Sequence, residues 1–157
     1  MNLWPRKLLN MPNNKFKSSA NSLFIDTNII YETLVNPSFR PYFQGIVSEY
    51  NIQIHISVLL ELGNLVKKIY GSSFASKLIS KYIDEFPIYP LIQEDVIQGL
   101  QVMDKYDFNK PKKDYTLTDA IQLICADKEK CGILSLDHEL AYYKFKSGGY
   151  FLFPEGR

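Results

Sequence analysis

Four acids, Asp26, Glu61, Asp119 and Asp137, stand in settings unlike ordinary surface charge. Asp26 ends the apolar run Leu23-Phe24-Ile25, and Asp137 ends Ile133-Leu134-Ser135-Leu136. Glu61 is embedded in Val58-Leu59-Leu60-Glu61-Leu62, where a buried and unpaired carboxylate would be costly. Asp119 is the last residue of Thr116-Leu117-Thr118-Asp119. Carboxylates held close together repel one another, and their pKa values rise unless a cation intervenes. A hard divalent ion removes that conflict. Oxygen-only ligands favour magnesium or manganese over zinc, and no Cys/His set with zinc spacing is present. Such an ion suits phosphoryl chemistry, in which it activates water and stabilises charge on the attacked phosphodiester and the leaving oxygen.

The sequence separates these acids widely, so the architecture must gather them. Short apolar runs at 23–25 and 133–136 and the alternating polar and apolar stretch 53–56 read as strands, with Ile88-Tyr89 and Tyr150–Phe153 as two more. Helical spacing covers 29–35, Phe39–Tyr50, Phe74–Phe86, Glu94–Tyr106, Thr116–Lys130 and a short segment, His138–Phe145. Ser57 is a plausible N-cap for a further helix, Val58–Tyr70, which Gly71 would stop. Gly132 would stop the Thr116–Lys130 helix in the same way.

Strands alternating with helices imply one three-layer α/β/α domain around a central, mainly parallel sheet of four or five short strands. Right-handed crossovers then bring every strand's carboxyl end, and every following helix's amino end, to one rim. Ligand sites of open α/β sheets lie at that rim. Asp26 and Asp137 belong there as strand ends, Glu61 and Asp119 as residues in the first turn of a helix.

Each acid also has a purely structural reading. Thr116-Leu-Thr-Asp119 is a variant capping box, and Asp137 before His138-Glu139 is a plausible N-cap. Glu61 could occupy an exposed position on a broad amphipathic helix. Asp26 is the hardest to explain structurally, because a buried strand does not ask for an acid at its end.

Phe24-Ile25-Asp26-Thr27-Asn28, Ser57-Val-Leu-Leu-Glu61-Leu, Asp114-Tyr-Thr116-Leu-Thr118-Asp119-Ala120 and Leu134-Ser-Leu-Asp137 together resemble the PIN-domain family, in particular the small VapC-like ribonuclease toxins. The resemblance spans roughly residues 22–153. It implies a magnesium- or manganese-dependent endoribonuclease acting on RNA, usually a homodimer and often paired with an inhibitory antitoxin. It further implies Asp26, Glu61 and Asp119 as the principal acids, Asp137 as a more variable fourth, and Asn28 and Thr116 as supporting residues. His138-Glu139-Leu140 departs from the aromatic or basic pattern common after the last acid, and the smallest toxins usually lack an N-terminal extension.

Other features frame these expectations. With 157 residues, 46% of them hydrophobic, the chain suits one domain at 22–157 preceded by a polar extension at 1–21. A net charge of +1 leaves nucleic-acid attraction to local patches such as Lys110, Lys112 and Lys113, where a solvated loop is the alternative. His55 reads as packing or surface, while His138 could aid a leaving group or ligate a metal. Cys125 and Cys131 form neither a disulfide framework nor a CxxC pair, which favours a reduced cytoplasmic setting. No apolar run is long enough to span a membrane.

Two rival functions remain. A phosphatase using Asp26 as nucleophile would usually carry a second Asp two residues on, where this chain has Asn28. A catalytically idle module of the same fold would bind RNA or a protein and need not respond to metal.

Overall fold

Leu23, Phe24 and Ile25 are fully buried, as a strand covered on both faces requires. They belong to β1 (Ser22–Ile25). The computed structural model describes residues 22–105, 116–137 and 151–152. Within them β1 is followed by α1 (Thr27–Val35), a 3-10 turn (Pro37–Phe39), α2 (Arg40–Glu49) and β2 (Asn51–His55). Next come α3 (Ile56–Tyr70), α4 (Ser72–Glu85), β3 (Ile88–Tyr89), α5 (Gln93–Lys105) and α6 (Leu117–Lys128). Strands β4 (Gly132–Leu134) and β5 (Phe151–Leu152) complete the described elements.

The sheet order is β3-β2-β1-β4-β5, and every pairing is parallel. All five expected strands are present, with β1 at the centre. Its odd and even residues supply two cores. Leu23 and Ile25 pack with α1 to α4, while Phe24 and Ile133 pack with α5 and α6. Each such side chain, fully removed from water, stabilises the fold by roughly 1.5–3 kcal/mol. Helix α6 is buried at every position from Ala120 to Ala126, not on one stripe, because it lies between the sheet and α5. Close approach of α5 depends on Gly99, where a Cβ would sit 3.0 Å from Leu117 and 3.1 Å from Ile121.

Two caps differ from the sequence expectation. Helix α3 begins at Ile56, because His55 is its N-cap and the His55 ring accepts the Ser57 N–H at 3.2 Å. Ser57 is therefore inside the helix. Helix α6 stops at Lys128, and Lys130 makes the left-handed turn at φ 53°, so Gly132 opens β4 instead of ending the helix. The extension at 1–21, the lysines 110, 112 and 113, His138 and the expected His138–Phe145 helix lie outside the described residues. Among the described residues no helix is long and apolar enough to cross a membrane.

Candidate active site

The strand register dictates the first contacts. Ile25 pairs with Leu134, and the Asp26 N–H donates to the Leu134 carbonyl at 3.0 Å. Asp26 and Ser135 are thereby set side by side just past the carboxyl ends of β1 and β4. Asp26 does have a structural task. It is the N-cap of α1, and its Oδ1 accepts the Thr27 N–H at 2.7 Å. A tight strand-to-helix turn explains an acid here in a way the strand alone did not.

Asp26 is only 6% exposed, and protein donors surround its carboxylate. Oδ1 also accepts from Gln122 Nε2 at 3.3 Å. Oδ2 accepts from the Ser135 hydroxyl at 2.6 Å and from Asn28 Nδ2 at 3.0 Å. Four donors thus meet the roughly four lone-pair sites of a carboxylate. Asn28 does more than point at the acid. Its Oδ1 accepts the Leu136 N–H at 3.0 Å, locking α1 to the segment after β4. Ser135 Oγ in turn accepts the Asp137 N–H at 2.9 Å, which fixes the backbone at the fourth acid.

Glu61 reaches the same rim from α3. The helix starts two residues earlier than expected, so Glu61 lies in its second turn, not its first. The residue is exposed, so burial within an apolar run does not account for it. Its Oε2 accepts the Thr27 hydroxyl at 3.2 Å, which makes Thr27 a bridge between the first and second acids.

Asp119 is in the first turn of α6 and completes a reciprocal capping box. The Thr116 N–H and hydroxyl donate to Asp119 Oδ2 at 2.9 and 3.1 Å, and the Asp119 N–H donates to the Thr116 hydroxyl at 3.2 Å. The structural reading of this acid is therefore correct. It does not exhaust the residue, because both bonds to the carboxylate fall on one oxygen.

Electrostatics couple the acids. Burial pushes Asp26 above the usual carboxylate range, hydrogen bonds from Ser135, Gln122 and Thr27 oppose that rise, and Asp137 adds to it. Burial also raises Asp119, to about 6, with Asp26 and Asp137 contributing repulsion against the Thr116 hydrogen bonds. Glu61 is raised by desolvation first and by Asp26 second, with the Thr27 bond opposing. Among the described residues no lysine, arginine or histidine pairs with Asp26, Glu61 or Asp119.

The donor set fits a hard divalent cation in chemistry. Its oxygens carry excess negative charge, and one further oxygen is stranded nearby: Gln122 Oε1 is buried with no hydrogen-bond partner. Among the described residues no three His, Cys, Asp or Glu side chains close on one position, so they form no all-protein cage. Magnesium does not need one, since it retains several waters and usually takes one or two carboxylates directly.

Sequence reasoning passed over Thr27, Gln122 and Ser135. Ser135 was visible as the polar residue at a buried strand's end. Gln122 was visible as the polar residue three positions after Asp119 in an otherwise apolar helix. His55 is fully buried and packs against Tyr89 at 5.9 Å between ring centroids, in keeping with a packing role. Burial holds its pKa below the usual histidine value.

A model of the PIN domain matches residues 23–146. No curated protein matches the sequence. Solved structures match in fold. A toxin–antitoxin complex from Klebsiella pneumoniae aligns at TM-score 0.60 and 17% identity over 86% of this chain and 99% of that one. VapBC-1 from nontypeable Haemophilus influenzae aligns at TM-score 0.67 and 11% identity over 86% and 99%. VapC20 of Mycobacterium tuberculosis, described as a sarcin–ricin loop cleaving toxin, aligns at TM-score 0.60 and 12% identity over 76% and 93%.

Proposed function

The chain belongs to the PIN-domain family, and from that premise we propose that it is a magnesium- or manganese-dependent endoribonuclease, the toxin of a type II toxin–antitoxin pair. One observation carries the nuclease reading. A buried, fully oriented carboxylate, Asp26, stands at the carboxyl rim of a parallel sheet with its pKa raised and no described cation against it. The partner reading rests on the Klebsiella pneumoniae fold neighbour, which is itself a toxin–antitoxin complex. A homodimer and a cytoplasmic setting belong to the same proposal.

In this reading Asp26 and Asp119 anchor the cation, and Glu61 and Asp137 complete or orient its surroundings. A bound divalent ion would supply charge stabilisation to the phosphodiester and lower the pKa of water in the site. This chain's residues do the positioning. Ser135 and Asn28 hold Asp26 Oδ2, Thr116 holds Asp119 Oδ2, and Thr27 holds Glu61. Fixed ligands matter because misplacement of reacting groups by about 1 Å can cost about a hundredfold in rate. Lys110, Lys112 and Lys113 would track the RNA backbone by charge.

A phosphatase with Asp26 as nucleophile is disfavoured by the same geometry. Asn28 is an orienting amide, bound to Asp26 Oδ2 at 3.0 Å, where that chemistry wants an acid. The test is incubation of purified full-length protein with a mixed structured RNA under manganese, magnesium and chelator, with Asp26→Asn alongside. Metal-dependent cuts lost in the variant support the nuclease. Metal-independent cuts, or cuts retained by Asp26→Asn, overturn the assigned roles, and the absence of cuts under any metal favours the idle binding module.

A further inference from the structure

Gln122 is the one polar residue in the continuously buried stretch Ala120–Ala126 of α6. It is fully buried, between Ile121 and Leu123, where an apolar side chain of similar size would satisfy the packing. Its Nε2 donates to Asp26 Oδ1 at 3.3 Å, the longest of the four bonds on that carboxylate. Its Oε1 has no partner. Leaving such an atom unsatisfied is unfavourable, so a buried orphan calls for an explanation such as an absent ion or water. Among the described residues, Asp26 is the hydrogen-bond partner that its amide finds.

The two ends of the amide suit two states of that site. Without a cation, an N–H donor tempers the negative charge on Asp26. With a cation at Asp26, an N–H group pointing inward would be repelled, while an amide oxygen would be attracted. Half a turn about the last side-chain torsion exchanges the two, and that torsion is broad and roughly two-fold. We propose that Gln122 is a positioning residue that turns its amide between Asp26 and a divalent cation, donating Nε2–H to the acid when the ion is absent and presenting Oε1 when it is bound. The inference rests on the metal-dependent reading above and adds Gln122 to it.

The test is calorimetric titration of Mn2+ into full-length wild type, Gln122→Met and Gln122→Glu, with circular dichroism to verify folding. Gln122→Met keeps the length and loses both polar groups, and we expect Mn2+ affinity to fall about 10- to 100-fold, as for other outer ligands of metal sites. Gln122→Glu restores an acceptor, and we expect affinity at or above that of wild type. Equal affinity in wild type and Gln122→Met would show a packing role and overturn this proposal alone. If Gln122→Glu binds as weakly as Gln122→Met, the acceptor role is wrong. A wild type that binds no Mn2+ overturns the metal-dependent reading itself. Should Gln122→Met fold poorly, Gln122→Leu replaces it with the same expected outcomes.

Discussion

Two buried polar clusters sit along α6, and they handle charge in opposite ways. Near the helix's carboxyl end, Asp95 of α5 is fully buried and bonded to the Lys128 ammonium. Cys125 donates its S–H to Asp95 Oδ2 at 3.4 Å, and burial together with Asp95 pushes that thiol up to about 12. The charge there is matched within the protein. About 14 Å along the helix, at its amino end, Asp119 faces the Asp26 rim, where the described residues supply amides and hydroxyls but no cation to Asp26, Glu61 or Asp119. The fold can therefore place a lysine against a buried acid, and among the described residues none is set against Asp26, Glu61 or Asp119. A buried acid paired internally ties α5 to α6. In the proposed reading, the acids gathered at the rim would recruit their counter-charge from outside.

Breaking the rim has the largest expected effect. Asp26→Asn keeps an N-cap for α1 but removes the central charge, and we expect RNA cleavage to fall by roughly a thousandfold or more, about 4 kcal/mol of transition-state stabilisation. Single-turnover cleavage rates check this, with circular dichroism to show that the fold persists. Supplying the missing charge is the converse. An acid whose folded pKa is raised holds its proton where the unfolded chain has released it. Stability of the metal-free protein therefore falls as pH rises from about 4 through about 6, by on the order of 2 kcal/mol for Asp119. Added Mn2+ should raise the melting temperature strongly at pH 8 and little at pH 5, because protons compete for the same oxygens. A thermal shift that ignores pH would speak against carboxylate ligation.

Smaller effects sharpen the contrast. Ser135→Ala removes the 2.6 Å donor from Asp26 and the acceptor for the Asp137 N–H, so we expect a loss of about 1–3 kcal/mol by urea denaturation and weaker activity. Lys128→Met acts at the other cluster. It should lower the urea midpoint by stranding Asp95, while the cleavage rate of the folded protein stays that of wild type. A comparable loss of cleavage in Lys128→Met would erase the distinction between the two clusters.

Periodicity and strand ends made the sheet and most of the helices legible, because burial on both faces leaves an uninterrupted apolar run and helices show their caps. The same cues put Asp26, Asp119 and Asp137 at the ends of their elements. Long-range partnerships were not legible. Ser135 and Gln122 meet Asp26 across 109 and 96 residues of chain, and only the strand register and the packing of α6 bring them there. The start of α3 was misread for a local reason. Ser57 is a common cap, and nothing in the sequence shows that the ring of His55 would accept its N–H instead.

The most direct measurement is calorimetric titration of Mn2+ into the wild-type protein and Asp26→Asn at pH 7.5. We expect saturable binding to the wild type and its loss in the variant. Equal binding by both, or none by the wild type, would contradict the view that the carboxylate rim is completed by a cation from outside.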